Sequence, residues 1–209
     1  MPLQNRVRPD GEIVATSPRG LVMGNRGGCL HDDQRRLGQR RWVSRQWICC
    51  VLDFNGRQRT VMAPRRYTEL FFLDEVTALA AGHRPCFECR RADALRFAEL
   101  WAAAHDAQDR VPAGDIDRVL HAERLAPGGA KRTFRHSLGD LTDGVMVRQG
   151  GTIQLLDRGR LLDWTAAGYG NPRPLEPRAE VEVLTPPGII AVLKLGYMPL
   201  LHESACVSR

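Results

Sequence analysis

The stretch LDEVTALAAGHRPCFECR, residues 73 to 90, decides the predicted fold. Asp74 can cap the start of a short helix with its side chain, and Gly82 can end that helix in a left-handed conformation. Cys86 and Cys89 follow at once, and two cysteines separated by two residues let both sulfurs reach one tetrahedral ion from a tight turn. The stretch therefore predicts a helix and a turn that supplies half of a metal site.

Strands are predicted upstream of this stretch. Residues 67–73 form an apolar segment that leads directly into Asp74. Residues 47–54 and 57–62 are two further strand-like segments, and the Asn55-Gly56 pair between them is the strongest short signal for a β-hairpin. The sequence therefore predicts a hairpin and a third strand before the helix at 75–81.

Helices are predicted downstream of the cysteines. Residues 90–105 have the composition of a helix, and Asp115 can cap a second, shorter one. The segment 125–135 is rich in proline and glycine, which is typical of a loop. We therefore place a domain boundary there, between an N-terminal domain at 1–125 and a C-terminal domain at 126–209.

The C-terminal half is predicted to be rich in β-strands. Its short apolar segments alternate with turns that contain glycine. The predicted strands are residues 145–147, 152–156, 160–164 and 180–184. Thr185 can then cap a terminal helix that has Pro186 at its first position and ends at Gly196. Both halves together predict an α+β fold.

The chain has six cysteines, and we expect none of them to form a disulfide. A chain of 209 residues does not need such cross-links to build a core, and its first residues lack the apolar run of a signal peptide. No apolar run is long enough to span a membrane. The sequence thus predicts a cytoplasmic protein, without membrane contact, whose cysteines are thiols or metal ligands.

The run from residue 73 to residue 90 resembles the second half of the small zinc-binding module of the Ada family of DNA-repair methyltransferases. It is also similar to modules that follow some nuclease domains, in which an alanine-rich helix leads into Gly-aromatic-Arg-Pro-Cys-x-x-Cys. A looser resemblance covers residues 24–92, because Gly24 to His31 is similar to the segment that precedes a histidine ligand in that family. The resemblance implies zinc as cofactor and a zinc-stabilised hairpin and helix module in the N-terminal domain.

The chain departs from the family pattern upstream. The family has a cysteine four residues after its first ligand, whereas Arg35 stands four residues after His31. Successive strand residues face opposite sides, so Cys49 and Cys50 cannot both point at one ion. The predicted ligands are His31, Cys50, Cys86 and Cys89, with Cys29 and Cys49 as substitutes.

These four ligands predict a closed, structural zinc site. The Ada module itself accepts a methyl group from DNA, but that role does not carry over, because the cysteine that performs it belongs to the part of the pattern that this chain lacks. Asp32, Asp33 and His83 are candidates for supporting the ligands through hydrogen bonds.

Positive charge is concentrated near the N-terminus. Residues 1–66 contain 13 arginines and five acidic residues, whereas the whole chain has a net charge of +6. The guanidinium group binds phosphate oxygens bidentately, so clustered arginines favour contact with DNA or RNA. A solvated arginine-rich face is the alternative.

Two other classes of function are compatible with the sequence. A metal-dependent enzyme acting on nucleic acid or nucleotides would draw its groups from Asp32, Asp33, Glu69, His83, His121 and Glu123. A deaminase is disfavoured because its His-x-Glu motif precedes the cysteine pair, whereas His121 and Glu123 follow it. The other class is a zinc-stabilised module for binding another protein.

Overall fold

Two β-sheets organise the chain. The computed structural model describes residues 1–58 and 60–207, and within them each sheet has six strands. The first sheet contains β1 (Gln4–Val7), β2 (Ile13–Ala15), β3 (Val22–Asn25), β4 (Ile48–Val51), β5 (Leu70–Phe72) and β6 (Arg84–Pro85). The second contains β7 (Phe134–Ser137), β8 (Met146–Gln149), β9 (Thr152–Asp157), β10 (Arg160–Thr165), β11 (Gly168–Pro174) and β12 (Glu180–Val183). With the helices, this confirms the α+β class.

One helix lies between β5 and β6 of the first sheet, two lie between the two sheets and two follow the second sheet in the chain. They are α1 (Glu75–Ala80), α2 (Arg91–Ala104), α3 (Ala113–Arg124), α4 (Pro187–Lys194) and α5 (Ser204–Val207), with single 3-10 turns at Pro127–Gly129 and Leu138–Asp140. The predicted cap of α1 is confirmed, because Oδ1 of Asp74 accepts a hydrogen bond from the backbone N–H of Thr77 at 2.9 Å. In the described part of the chain, no helix is long and apolar enough to cross a membrane.

Two other predicted caps are wrong. Helix α3 begins at Ala113 with Pro112 as its N-cap, so Asp115 lies inside the first turn. Helix α4 likewise has Pro186 as its N-cap. The hydroxyl of Thr185 instead accepts a hydrogen bond from the N–H of Met146 at 2.9 Å, because strand β8 lies beside it.

The predicted hairpin at Asn55-Gly56 is also wrong. Both residues have the positive φ angles of a hairpin turn, 55° and 63°. However, β4 is hydrogen-bonded on one side to β3 and on the other to β6, so neither of its edges is free to pair with residues 57–62. Those residues form no strand at the described positions, and Arg59 lies outside them.

The order of the first sheet, β2-β1-β5-β3-β4-β6, brings the cysteines together. Strand β6 runs parallel to β4, with Pro85 opposite Cys49. The next residue, Cys86, donates its backbone N–H to the carbonyl of Cys49 at 2.9 Å. Helix α2 then begins just after Cys89.

The second sheet is antiparallel throughout, in the order β11-β10-β9-β8-β12-β7. The four predicted strands of this half are confirmed within one or two residues, whereas β7 and β11 were not predicted. The predicted loop at 125–135 holds a 3-10 turn, and its last residues already belong to β7.

One cluster of buried hydrophobic side chains, which we call the shared core, includes residues from both sides of residue 125. Phe97, Trp101 and Leu120 from the helices share it with Val145 and Ile189 from the C-terminal half. The division into two domains stays a prediction, and the two predicted domains share this core.

A buried ion pair links α3 to strand β6 of the first sheet. Arg84 in β6 donates two hydrogen bonds to the carboxylate of Asp117, at 2.9 and 2.7 Å, and both side chains are almost fully buried. Asp115, on the same helix, pairs with Arg118 at the surface.

Replacing Asp117 by Ala should lower the free energy of unfolding by about 3–5 kcal/mol, because it leaves Arg84 buried without its counter-charge. Replacing Asp115 by Ala should change it by less than about 1 kcal/mol, because that pair is exposed. Urea unfolding followed by circular dichroism measures both. Equal effects of the two substitutions would contradict this account of the helix packing.

Candidate metal centre

Three cysteines meet at one edge of the first sheet. The Sγ atoms of Cys50, Cys86 and Cys89 all lie within 4.8 Å of one another. Cys50 comes from β4, whereas Cys86 and Cys89 come from the turn between β6 and α2. The cluster therefore joins two segments that are far apart in the chain and adjacent in the sheet.

The neighbouring Cys49 faces the other side of β4. Its side chain is fully buried in the core that contains Leu70 and Phe72. Its sulfur lies 3.5 Å from Nη1 of Arg90, and burial raises the pKa of its thiol. The alternation of the strand thus gives only Cys50 to the cluster.

Hydrogen bonds among the three thiols shift their pKa values in different directions. The Cys50 thiol bonds to both other sulfurs, and these bonds raise the pKa of Cys50. The same bonds lower the pKa of Cys86 to about 5 and also lower that of Cys89. The backbone N–H of Glu88 lies 3.4 Å from the Cys86 sulfur and also favours a thiolate there. The turn is therefore suited to negative charge on sulfur.

The cluster fits a soft, tetrahedral metal ion. Zinc binds thiolates at about 2.3 Å, so two sulfurs on one tetrahedral ion lie about 3.8 Å apart. The separation of the three sulfurs, within 4.8 Å, is compatible with that spacing. Among the described residues the cluster contains three ligands, all sulfur. Sulfur is the donor that zinc and other soft metals prefer.

The structure does not bring His31 into this cluster. Its Nδ1 lies 2.7 Å from the Thr68 hydroxyl and its Nε2 lies 3.2 Å from the carbonyl oxygen of Ala63, so both ring nitrogens are engaged. The substitute Cys29 is exposed and lies 3.8 Å from the His31 ring. Of the four predicted ligands, the structure therefore places three together.

The other predicted site residues are also engaged elsewhere. Asp32 pairs with Arg36 at the surface, and Asp33 is exposed. Glu69 is buried and accepts the N–H of Met62 at 2.7 Å. None of them belongs to the cysteine cluster of the described residues.

His121 and Glu123 lie on α3, and His83 lies between α1 and β6. The ring of His83 is buried against Trp47, and burial holds its pKa well below the usual value, so the imidazole is neutral. His121 lies 3.1 Å from the Arg124 guanidinium, and Glu123 accepts the N–H of Gly188 at 2.9 Å. His121 and Glu123 thus have separate partners.

Arg90 is a part of the site that sequence reasoning missed. It follows Cys89 directly, and its guanidinium donates to the buried carboxylate of Glu75 at 2.7 Å. Glu75 also accepts the hydroxyl of Tyr197 at 2.7 Å and the N–H of Leu200 at 2.8 Å. The only signal in the sequence is the position of the two residues. Arg90 is the last residue of the run from 73 to 90, and Glu75 is the first residue of the helix within that run.

Comparison with protein-family models, with curated proteins and with solved structures found no match. The resemblance of residues 24–92 to the Ada-type module therefore stays a prediction. The case for a metal rests on the three cysteines themselves.

Cys50 and Cys49 offer a matched test of the cluster. Cys50→Ala should lose the bound metal, because it removes one of three ligands, whereas Cys49→Ala should keep it, because its side chain faces the core. Metal content of the two purified variants is measured by plasma mass spectrometry. Equal metal content in both variants would refute the assignment of Cys50.

Proposed function

We propose that this protein binds a zinc ion through Cys50, Cys86 and Cys89 and that it contacts nucleic acid through arginines of its N-terminal third. The observation that carries the zinc assignment is the convergence of three sulfurs within 4.8 Å. Metal binding removes the proton of the Cys50 thiol, and a divalent cation balances the repulsion among the three thiolates that result.

The zinc ion has a structural role in this proposal. It links β4 to the turn before α2, next to the backbone hydrogen bond between Cys86 and Cys49. The first turn of α2 also points its N-terminal dipole toward the cysteine turn, which favours thiolates there. The ion therefore stabilises the junction at which the sheet passes into α2.

The loop between β3 and β4 supports the contact with nucleic acid. Arg35, Arg40 and Arg45 on this loop are exposed, and none of them forms an ion pair with another described residue. Guanidinium groups that are free in this way bind phosphate oxygens and release counterions from the nucleic acid.

Removing zinc should destabilise the protein. An ion that contributes about 3 kcal/mol to folding raises the melting temperature of a chain of this size by about 10 °C. Calorimetry before and after a chelator measures this shift, and added zinc should restore it while added magnesium should not. An unchanged melting temperature in protein verified to be metal-free would contradict the structural role.

Binding to DNA or RNA should weaken steeply with salt. The slope of log K against log salt is negative, and replacing Arg35, Arg40 and Arg45 together by Gln should make it less steep by about 3. Each lost phosphate contact removes about 0.9 from its magnitude. Fluorescence anisotropy with a labelled duplex and a labelled single strand measures the slope.

A control variant removes the same charge from other faces. Arg91, Arg118 and Arg178 are exposed and lie outside the loop. Their replacement by Gln should leave the slope nearly unchanged. Equal slopes for the two triple variants, or no binding of wild-type protein at low salt, would disprove the proposed contact.

A zinc enzyme acting on nucleic acid or nucleotides is the second candidate. The observation that favours it is the number of ligands: catalytic zinc sites keep three protein ligands and one open position, whereas structural sites have four. A fourth protein ligand in the zinc-loaded protein would exclude this candidate, and a water there would favour it.

A further inference from the structure

A cavity of about 360 Å³ lies among loops of the first sheet, the end of α3, the turn that follows it and strand β8 of the second sheet. Five cationic side chains line it: Arg26, Arg41, Arg124, Lys131 and Arg148. None of the three clustered cysteines lines it. Its volume is within the range of pockets that hold small ligands.

Three of these cations are held by backbone carbonyls. Arg26 and Arg124 are almost fully buried, and Lys131 is half-buried. Their donors reach the carbonyl oxygens of Gly11 at 3.0 Å, Gly82 at 2.8 Å and Ala80 at 2.6 Å, respectively. No carboxylate of the described residues forms an ion pair with any of the three. These cationic groups are therefore held in place without a carboxylate partner.

The carboxylates that line the cavity do not balance this charge. They are Asp10 and Glu12, so the lining has three more positive than negative groups. Asp10 already pairs with Arg8 at 3.1 Å and with Arg148 at 2.9 Å. The side chain of Glu12 is exposed, and its carboxylate lies 3.6 Å from the guanidinium group of Arg8.

The protonation of these groups reflects the missing counter-charge. Burial lowers the pKa of Arg26 and of Arg124 to about 9. Burial, with the nearby arginines, lowers the pKa of Lys131 to about 7. An anion in the cavity would stabilise the charged form of all three groups.

Aromatic rings orient the guanidinium groups. The guanidinium carbons of Arg26 and Arg124 both lie 3.9 Å from the ring centroid of Trp47. Trp42 also lines the cavity, with its ring centroid 6.3 Å from that of Trp47. In addition, Nε of Arg124 is buried and has no hydrogen-bond partner among the described residues. The donors are thus preorganised, and one of them is unsatisfied.

We propose that this cavity binds a phosphomonoester dianion, with Arg26, Arg124 and Lys131 as its main donors. A surplus of three positive charges suits a dianion better than a single carboxylate, and forked guanidinium donors match phosphate geometry. The phosphate belongs either to a free small molecule or to the end of a nucleic-acid strand. The proposal does not depend on the zinc ion or on Arg35, Arg40 and Arg45.

Tryptophan fluorescence reports binding directly, because Trp42 and Trp47 line the cavity. The wild-type protein is titrated with inorganic phosphate, with adenosine monophosphate, and with short oligonucleotides that carry either a 5′-phosphate or a 5′-hydroxyl. Saturable binding of phosphate or the monophosphate identifies a small-molecule ligand. Binding that requires the 5′-phosphate of the oligonucleotide identifies a strand end.

The two lysines of the chain provide a matched pair of variants. Lys131→Met should weaken binding about tenfold or more, because it removes a charged donor, whereas Lys194→Met on α4 should bind like wild type. Arg41→Gln is a second variant with an exposed side chain, and it should also weaken binding while the fold stays intact by circular dichroism.

Three results would overturn the proposal. One is that neither phosphate, the monophosphate nor the 5′-phosphorylated strand binds at low salt. Another is that Lys131→Met and Arg41→Gln both bind like Lys194→Met. The third is equal binding of 5′-phosphate and 5′-hydroxyl strands that Lys131→Met does not weaken, which would place the contact on Arg35, Arg40 and Arg45 of the loop between β3 and β4. That outcome would reject the cavity but leave the proposed nucleic-acid function standing.

Discussion

The close approach of three cysteine sulfurs is the constraint on which the candidate site depends. Cys50, Cys86 and Cys89 come within 4.8 Å of one another because β6 runs beside β4 and the chain turns directly into α2. Hydrogen bonds and the helix terminus favour thiolates at Cys86 and Cys89, whereas the pKa of Cys50 is raised in the metal-free protein. A bound divalent cation would hold all three sulfurs as thiolates, which is why we propose a metal at the cluster.

Arg90 connects this cluster to the rest of the molecule. Its ion pair with Glu75 ties the start of α2 to the start of α1, and Tyr197 and Leu200 bind the same carboxylate from the C-terminal half. A buried carboxylate with three donors is a stable arrangement, because its charge is paired and its oxygens are satisfied. The C-terminal segment therefore helps to position the helix that follows the cysteines.

Local signals in the sequence predicted much of this site. The Asp74 cap, the turn with Cys86 and Cys89, and the separation of Cys49 from Cys50 follow from rules that act over a few residues. The failures concern contacts between distant segments. The hairpin at Asn55-Gly56 failed because β3 and β6 occupy both edges of β4, and His31 is engaged by Thr68 and Ala63. The cationic cavity could not be predicted, because Arg26, Arg124 and Lys131 are brought together only by the fold.

X-ray absorption spectroscopy at the zinc edge tests the central claim most directly, since it reports both the metal and the donor atoms around it. For the protein purified from cells grown with zinc, we expect a first shell with three sulfurs at about 2.3 Å and one lighter donor. The zinc signal should be absent from Cys50→Ala, because that variant should lose the metal, and it should be retained in Cys49→Ala. A protein without zinc, or a zinc shell made only of nitrogen and oxygen, would contradict the account.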